Sequence, residues 1–531
     1  MDISSGKTYW FMVLCLLTVV GTVVVAIAFV PGVTLAAAAP SFTNVQVNQV
    51  SGPFPKNSQN EPTLAQNPKN PDNLIVGAND DMGLPPCTNT TPSLCPGIVP
   101  PISTVGFYAS IDGGNTWPCQ GLIDLSKFGE FAVGDPWQAF DSQGFAYFGA
   151  FALPNAFKGT LGEREVGLPS DFFVAKSTDG GCTYPSAAKV SGASPAIIDD
   201  KPAITADANP KSPFRDNVYA VWTTFVPPSR RVQIMFSRST DGGVTWRNPR
   251  PVSAAFPQLL IAGLPARQGA TAKVGPDGTV YVVWAEAADP LVRQVVMRMA
   301  ISRDGGQTFR GQNITVATVT DDFVQPLPGS SFRQLGRALP SLTIASDGML
   351  YVAWSNHANG HAVVLVTKSA NGGLTWSAPV VAGNVSGRSA FFASLAADPN
   401  GKVNVVFLAM DDKPVGTAPG AGVVHYDAYF TQSTDSGASF GSPQKISTAT
   451  SDPDGSSIEN SLSEQFLGDY ITAVADSRGS RVFAVWTDSR NATPCAAVDA
   501  FRAGTAGKPN VITACPATFG NTDVFLGTVS Y

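Results

Sequence analysis

The chain has 531 residues, of which 14% are charged, and a formal net charge of −6. The charged share is well below that of an average soluble domain, and no basic stripe runs along the chain, which argues against nucleic acid as a partner. With 51 glycines and 42 prolines the composition favours turns over helices, and length alone would suggest about three or four domains unless one repeat uses the whole chain.

Residues 9–30, YWFMVLCLLTVVGTVVVAIAFV, carry no charge. As an N-terminal hydrophobic helix they would reach about 33 Å, enough to span a bilayer. LAAAAPS at 35–41 offers small residues for cleavage after Ala38. Residues 1–40 thus read either as a signal peptide or as a signal anchor. Either way, residues 41–531 lie outside the cytoplasm, secreted or tethered to the membrane through 9–30. The cysteines agree with export, because disulfides are the default in an oxidising compartment. Beyond Cys15 there are Cys87, Cys95, Cys119, Cys182, Cys495 and Cys515. Short loops favour Cys87–Cys95 and Cys495–Cys515, which leaves Cys119–Cys182. No C-x-x-C occurs and only three histidines exist, so neither a metal nor a cofactor is expected.

Past the N-terminal segment a unit repeats. Its first strand recurs as PTLAQNP, PWQAFD, PAITAD, ATAKVG, PSLTIAS, ASLAAD and ITAVAD. Its second recurs as VYAVW, VYVVW, LYVAW, VNVVF and VFAVW, with NLIVGA and AYFGAF in the same place. Short β-branched or aromatic runs between Gly, Pro, Asn and Asp are strand signals. Each unit then makes a tight turn: SIDGGNTW (110–117), STDGGCTY (177–184), STDGGVTW (239–246), SRDGGQTF (302–309), SANGGLTW (369–376) and STDSGASF (433–440). These start 62 to 67 residues apart, and a period of this kind means stacked units. Each unit is a four-stranded antiparallel meander with edges to hide, and radial repetition hides them. The prediction is an all-β, single β-propeller over 41–531. Seven blades are favoured, six being the alternative with one irregular unit. The last unit stops after its third strand, and FTNVQVNQV (42–50) is expected to supply the fourth. The turns are expected to be folding devices, with the aromatic packed between blades.

The Ser-x-Asp-x-Gly-x-Thr-Trp pattern resembles the Asp box, or bacterial neuraminidase repeat, of sialidase-like propellers, and the likeness covers about residues 42–531. The resemblance implies a glycan-acting propeller, as an enzyme an exo-α-sialidase-like glycoside hydrolase. Sialidases clamp the substrate carboxylate with three arginines and use a Tyr nucleophile, a Glu partner and an Asp acid/base. The sequence has no Arg-Ile-Pro motif, which usually holds their first arginine. The alternative is a non-catalytic binding or scaffolding propeller at the cell surface.

Loops leading into each first strand place Glu61, Asp135, Asp200 with Lys201, Arg267 with Gln268, Arg337, Arg388, and Asp469 with Tyr470 around the propeller mouth. Loops after the second strands add Asp80, Asp81, Glu286, His357, Asp411, Asp412, Asp488 and Arg490. Of these, Tyr470, Glu61, Asp135 and Glu286 are the candidate catalytic residues, and Arg267, Arg337, Arg388, Asp200 and Asp469 the candidate carbohydrate-binding residues. A Tyr nucleophile needs a nearby carboxylate to take its proton. Asp469, its neighbour on an expected strand, would point to the opposite face, so the partner is expected from Glu61, Asp135 or Glu286. The structural counterpart is a Tyr470 that lines the channel and packs between blades one and seven.

Overall fold

The computed structural model describes residues 40–531 apart from 50–51, 87, 89–97, 157–169, 193–196, 227–228, 230, 257–259, 262–263, 266, 290–293, 321–338, 359–360, 413–423, 458–459 and 461. The helix expected over 9–30, the Cys87–Cys95 pair and Arg337 therefore lie outside the described residues. Among the described residues no helix is long and apolar enough to cross a membrane.

Seven four-stranded antiparallel sheets succeed one another, the first six each paired in chain order. Their first strands are Gln59–Gln66, Glu130–Phe140, Ile198–Ala206, Arg267–Val274, Ser341–Ile344, Arg388–Ala397 and Thr472–Ala475, for blades 1 to 7 in turn. Each first strand touches the first strands of both neighbouring blades, and that of blade 7 touches that of blade 1. The first strands are thus innermost, and the ring is closed. Blade 7 takes its outermost strand from the other end of the chain, Ser41–Gln46, paired with Asp523–Ser530 from Ser41↔Ser530 to Gln46↔Phe525. This completes a seventh blade and decides against six.

Second strands are sandwiched between neighbouring sheets, so both of their faces are apolar. Trp222, Trp284, Trp354 and Trp486, each at most 1% exposed, end the VYAVW-type runs and fill the spaces between blades. Two disulfides form: Cys119–Cys182 ties the outer strand of blade 1 to the turn of blade 2, and Cys495–Cys515 staples an excursion of blade 7 that carries the short helices Ala496–Arg502 and Val511–Ala514.

The repeated turn has one geometry throughout. In the copy at 239–246, Ser239 Oγ donates to Asp241 Oδ1 and accepts from the Gly243 amide at 2.8 Å. Asp241 in turn accepts from the Thr245 amide and hydroxyl. The same bonds recur at Asp112, Asp179, Asp304 and Asp435. Asn371 serves equally, because its amide donates to the Thr375 hydroxyl where an Asp would accept. Burial opposes ionisation of Asp304, but the Thr308 hydroxyl and amide outweigh it and bring its pKa down to about 2. The aromatic of each turn reaches back to the preceding blade: Trp117 packs with Phe483 and Leu526 of blade 7, and Phe309 meets Phe236 of blade 3 at 4.7 Å between ring centres.

The second glycine of the turn docks on the preceding blade as well. Gly243 has φ +85, and a Cβ there would lie 2.9 Å from the Tyr147 ring. Gly243→Ala is therefore expected to cost about 1–3 kcal/mol, read by urea denaturation. A change within about 0.5 kcal/mol would show that this turn does not lock the blades.

Candidate functional site

The innermost strands share an irregularity. Strand pairing skips between Asn60 and Thr63, Gly134 and Trp137, Asp200 and Ala203, Gln268 and Thr271, and Phe391 and Ser394. At each skip one residue adopts positive φ: Glu61 (53°), Asp135 (53°), Lys201 (50°), Gly269 (68°) and Phe392 (53°). A bulge of this kind re-aims a side chain, here towards the axis. Three of these residues precede proline, in NEP, GDP and DKP. Left-handed backbone in a non-glycine residue costs on the order of 1–3 kcal/mol. The strain is offset by what the three side chains do together.

Lys201 Nζ lies 2.9 Å from Glu61, 2.8 Å from Asp135 and 2.8 Å from Asp469. Residues of blades 1, 2, 3 and 7 can meet like this only near the axis. Asn79 donates to the other Glu61 oxygen at 3.0 Å and accepts from the Asp135 amide. Gln268 donates to Asp200 at 2.7 Å. The Tyr470 ring lies over the Lys201 ammonium at 5.4 Å and against Trp137 at 5.7 Å. Below them is an axial cavity of about 80 Å³, lined among others by Trp137, Lys201, Lys273, Phe392, Asp469 and Tyr470.

The carboxyls divide by environment. Burial pushes Glu61 well above the usual range; Lys201 opposes this, while Asp135 and Asp469 add to it. Burial acts on Asp135 too, but the Lys201 charge and hydrogen bonds from Glu61, Lys201 and Asp200 overcome it and hold its pKa low. Asp200 rises to about 7, through burial and then the Asp135 charge. Burial disfavours the Lys201 ammonium, yet Asp135, Asp469, Glu61 and Asp200 raise its pKa well above normal. Tyr470 is pushed well above 10 by burial first and by Glu61 and Asp135 next.

These shifts set a pH dependence. Asp200 keeps its proton in the folded chain to about pH 7, against an unperturbed value of 3.8. Its contribution to stability is complete below pH 3.8 and declines as pH rises to about 7. Asp200→Asn should flatten this part of the stability–pH curve, measured by denaturant midpoints from pH 4 to 8. An unchanged slope would exclude Asp200 as its source.

The structure thus gathers Glu61, Asp135, Asp200, Asp469 and Tyr470 into one cluster. It does not add the described arginines. Arg267 is only 4% exposed and is held by Glu286, its cross-strand partner in blade 4, through Nε and NH2, both at 2.7 Å. Glu286 is thereby engaged within its own blade. Arg388 binds Asp411 at 2.9 Å and Asp427 at 2.6 Å within blade 6. Neither arginine lines the axial cavity. Asp469 and Tyr470 also depart from the expected alternation, because the strand starts only at Thr472 and both residues reach Lys201. The Tyr470 hydroxyl has no hydrogen-bond partner among the described residues. His361 Nδ1 is 2.9 Å from Asp412, away from the axis. Lys201 as the hub, with Asn79 and Trp137 around it, was not singled out from sequence. The charged residue before proline in NEP, GDP and DKP was the available signal.

No family model matches the chain, and no curated protein matches its sequence. Solved structures do resemble it. A protein of unknown function from Dyadobacter fermentans matches with 17% identity and a TM-score of 0.43, over 75% of this chain and 94% of its own. A Hadza microbial sialidase matches with 13% identity and a TM-score of 0.41, over 84% and 93%. An ulvan lyase, from a family of polysaccharide lyases, matches with 10% identity and a TM-score of 0.43, over 84% and 93%.

Proposed function

We propose that the protein is an extracytoplasmic propeller that binds glycans at the mouth above the axial cluster, without hydrolysing them by a sialidase-like route. The observation that carries this is the pairing of the charged groups hydrolysis would need. Lys201 is bound by Glu61, Asp135 and Asp469 together. Glu286 takes Arg267, and Asp411 and Asp427 take Arg388. A Tyr nucleophile would need a carboxylate within hydrogen-bond reach and a depressed pKa; Tyr470 has neither. The repeated turns support the glycan class by resemblance, and the two disulfides fit an oxidising compartment. One observation favours the rival reading of a hydrolase: Glu61 and Asp135 are adjacent carboxyls with opposed pKa shifts, the arrangement of an acid and a base.

The test is a glycan array beside a panel of chromogenic glycosides. Glycan retention with no release of chromophore is expected. Turnover by the wild type that Asp135→Asn abolishes would establish the hydrolase instead. Tyr470→Phe is expected to leave stability within about 0.5 kcal/mol, since the lost hydroxyl has no partner, and to leave glycan retention intact. A turnover that Tyr470→Phe destroys while the fold persists would restore the nucleophile.

A further inference from the structure

Lys273 has no role in the cluster above. It sits on the innermost strand of blade 4, two residues beyond the first residue after the bulge, in register with Tyr281. The equivalent positions of the other blades are Ala65, Ala139, Thr205, Thr343, Ala396 and Val474. Those six residues are uncharged and most are small, and none of them lines the axial cavity, so Lys273 is the residue of this register that reaches it. The Lys273 side chain is exposed to solvent and lines the axial cavity, yet burial lowers its pKa with no charge opposing. The side chain thus borders a cavity with protein on its other sides. No ion pair or hydrogen bond fixes its ammonium among the described residues. The carboxylate that shares the cavity, Asp469, is already bound to Lys201.

A walled ammonium without a protein counter-charge attracts a mobile one, because low-dielectric walls focus its field along the channel. We propose that the axial channel is an oxyanion-binding site, with Lys273 as its charged anchor. The ligand class is a single sulfate, phosphate or carboxylate group, arriving either as a free ion or on an acidic sugar. Binding would restore the Lys273 pKa, since an opposite charge favours the ammonium. The site is independent of the glycan reading: it stands or falls whether or not the mouth retains neutral glycans.

The full chain is titrated with sodium sulfate by calorimetry, and Lys273 acetylation is followed by mass spectrometry, with Lys69 and Lys211 as internal controls. One sulfate per chain is expected. At saturating sulfate Lys273 should be acetylated about tenfold more slowly, since only unoccupied protein reacts, while the control lysines are unaffected. Lys273→Met should lose the calorimetric signal but keep the wild-type unfolding midpoint in sulfate-free buffer. Protection by glucuronate but not glucose would assign a sugar-borne anion; protection by sulfate but not glucuronate would assign the free ion. Absence of sulfate binding to the wild type, or binding that survives in Lys273→Met, overturns the proposal.

Discussion

Lys201→Met is expected to cost about 3–5 kcal/mol of folding stability at pH 7, the usual loss when one partner of a buried ion pair is removed. Lys201 is the hub of the axial cluster, and its removal leaves Asp135 and Asp469 facing Glu61 and Asp200 without a cation. Methionine keeps the length and apolar stem, so the loss isolates the charge. The same variant carries a pH signature. With Lys201 gone, the folded-state pKa of Asp135 should rise above its unfolded value. The cost of the substitution then grows as pH rises and shrinks on acidification, because protonated carboxyls no longer repel. Adding Asp135→Asn should recover part of the loss, a coupling expected of groups in direct contact. Urea denaturation at pH 4.5 and pH 7.5 checks all three outcomes. A loss under about 1 kcal/mol at pH 7.5 would mean that water screens the cluster and that it does not close the axis.

The second large effect concerns ring closure. Removing residues 1–47 takes away the outer strand of blade 7 and Val47, 1% exposed. Burial of Val47 alone contributes about 1.5–3 kcal/mol. The truncation also frees Asp523–Ser530 as an edge and strips Asp523 of Gln46. The truncated chain is expected to be aggregation-prone and to lose its cooperative unfolding transition. A synthetic peptide of residues 40–49 added in trans should restore part of the transition. A truncated chain with the wild-type midpoint would show that the closure is dispensable.

The fold was legible because its rules are local. A Ser–Asp–Gly–Gly–Thr turn makes its own hydrogen bonds and repeats at a fixed interval, and a unit short of one strand implies a donor elsewhere. The site was legible only in part. The acids of NEP, GDP and GDY stood out as charges at loop ends, but the pairing that defines them depends on bulges that turn Glu61, Asp135 and Lys201 to one axis across three blades. Periodicity does not report such bulges. Arg267 and Arg388 were placed correctly along the chain, but their direction was set by cross-strand register and carboxylates of their own blades. Lys273 was hidden for the opposite reason: one lysine on a strand reads as a solvated face, and only closure of the ring turns that face into a channel.

The pairing of Phe42 with Val529 also sets a timetable. A strand made early, Ser41–Gln46, waits for one made late, Asp523–Ser530. At about 5–20 residues per second, nearly the whole chain must be made before Ser41–Gln46 finds its partner, a delay of roughly 25–100 s at those rates. Until then blades 1 to 6 have no closed ring, and the side of blade 1 that meets blade 7 has nothing to pack against. A chain stalled before Asp523–Ser530 would lack the zipper altogether, so synthesis through that strand is itself the checkpoint for a sealed axis.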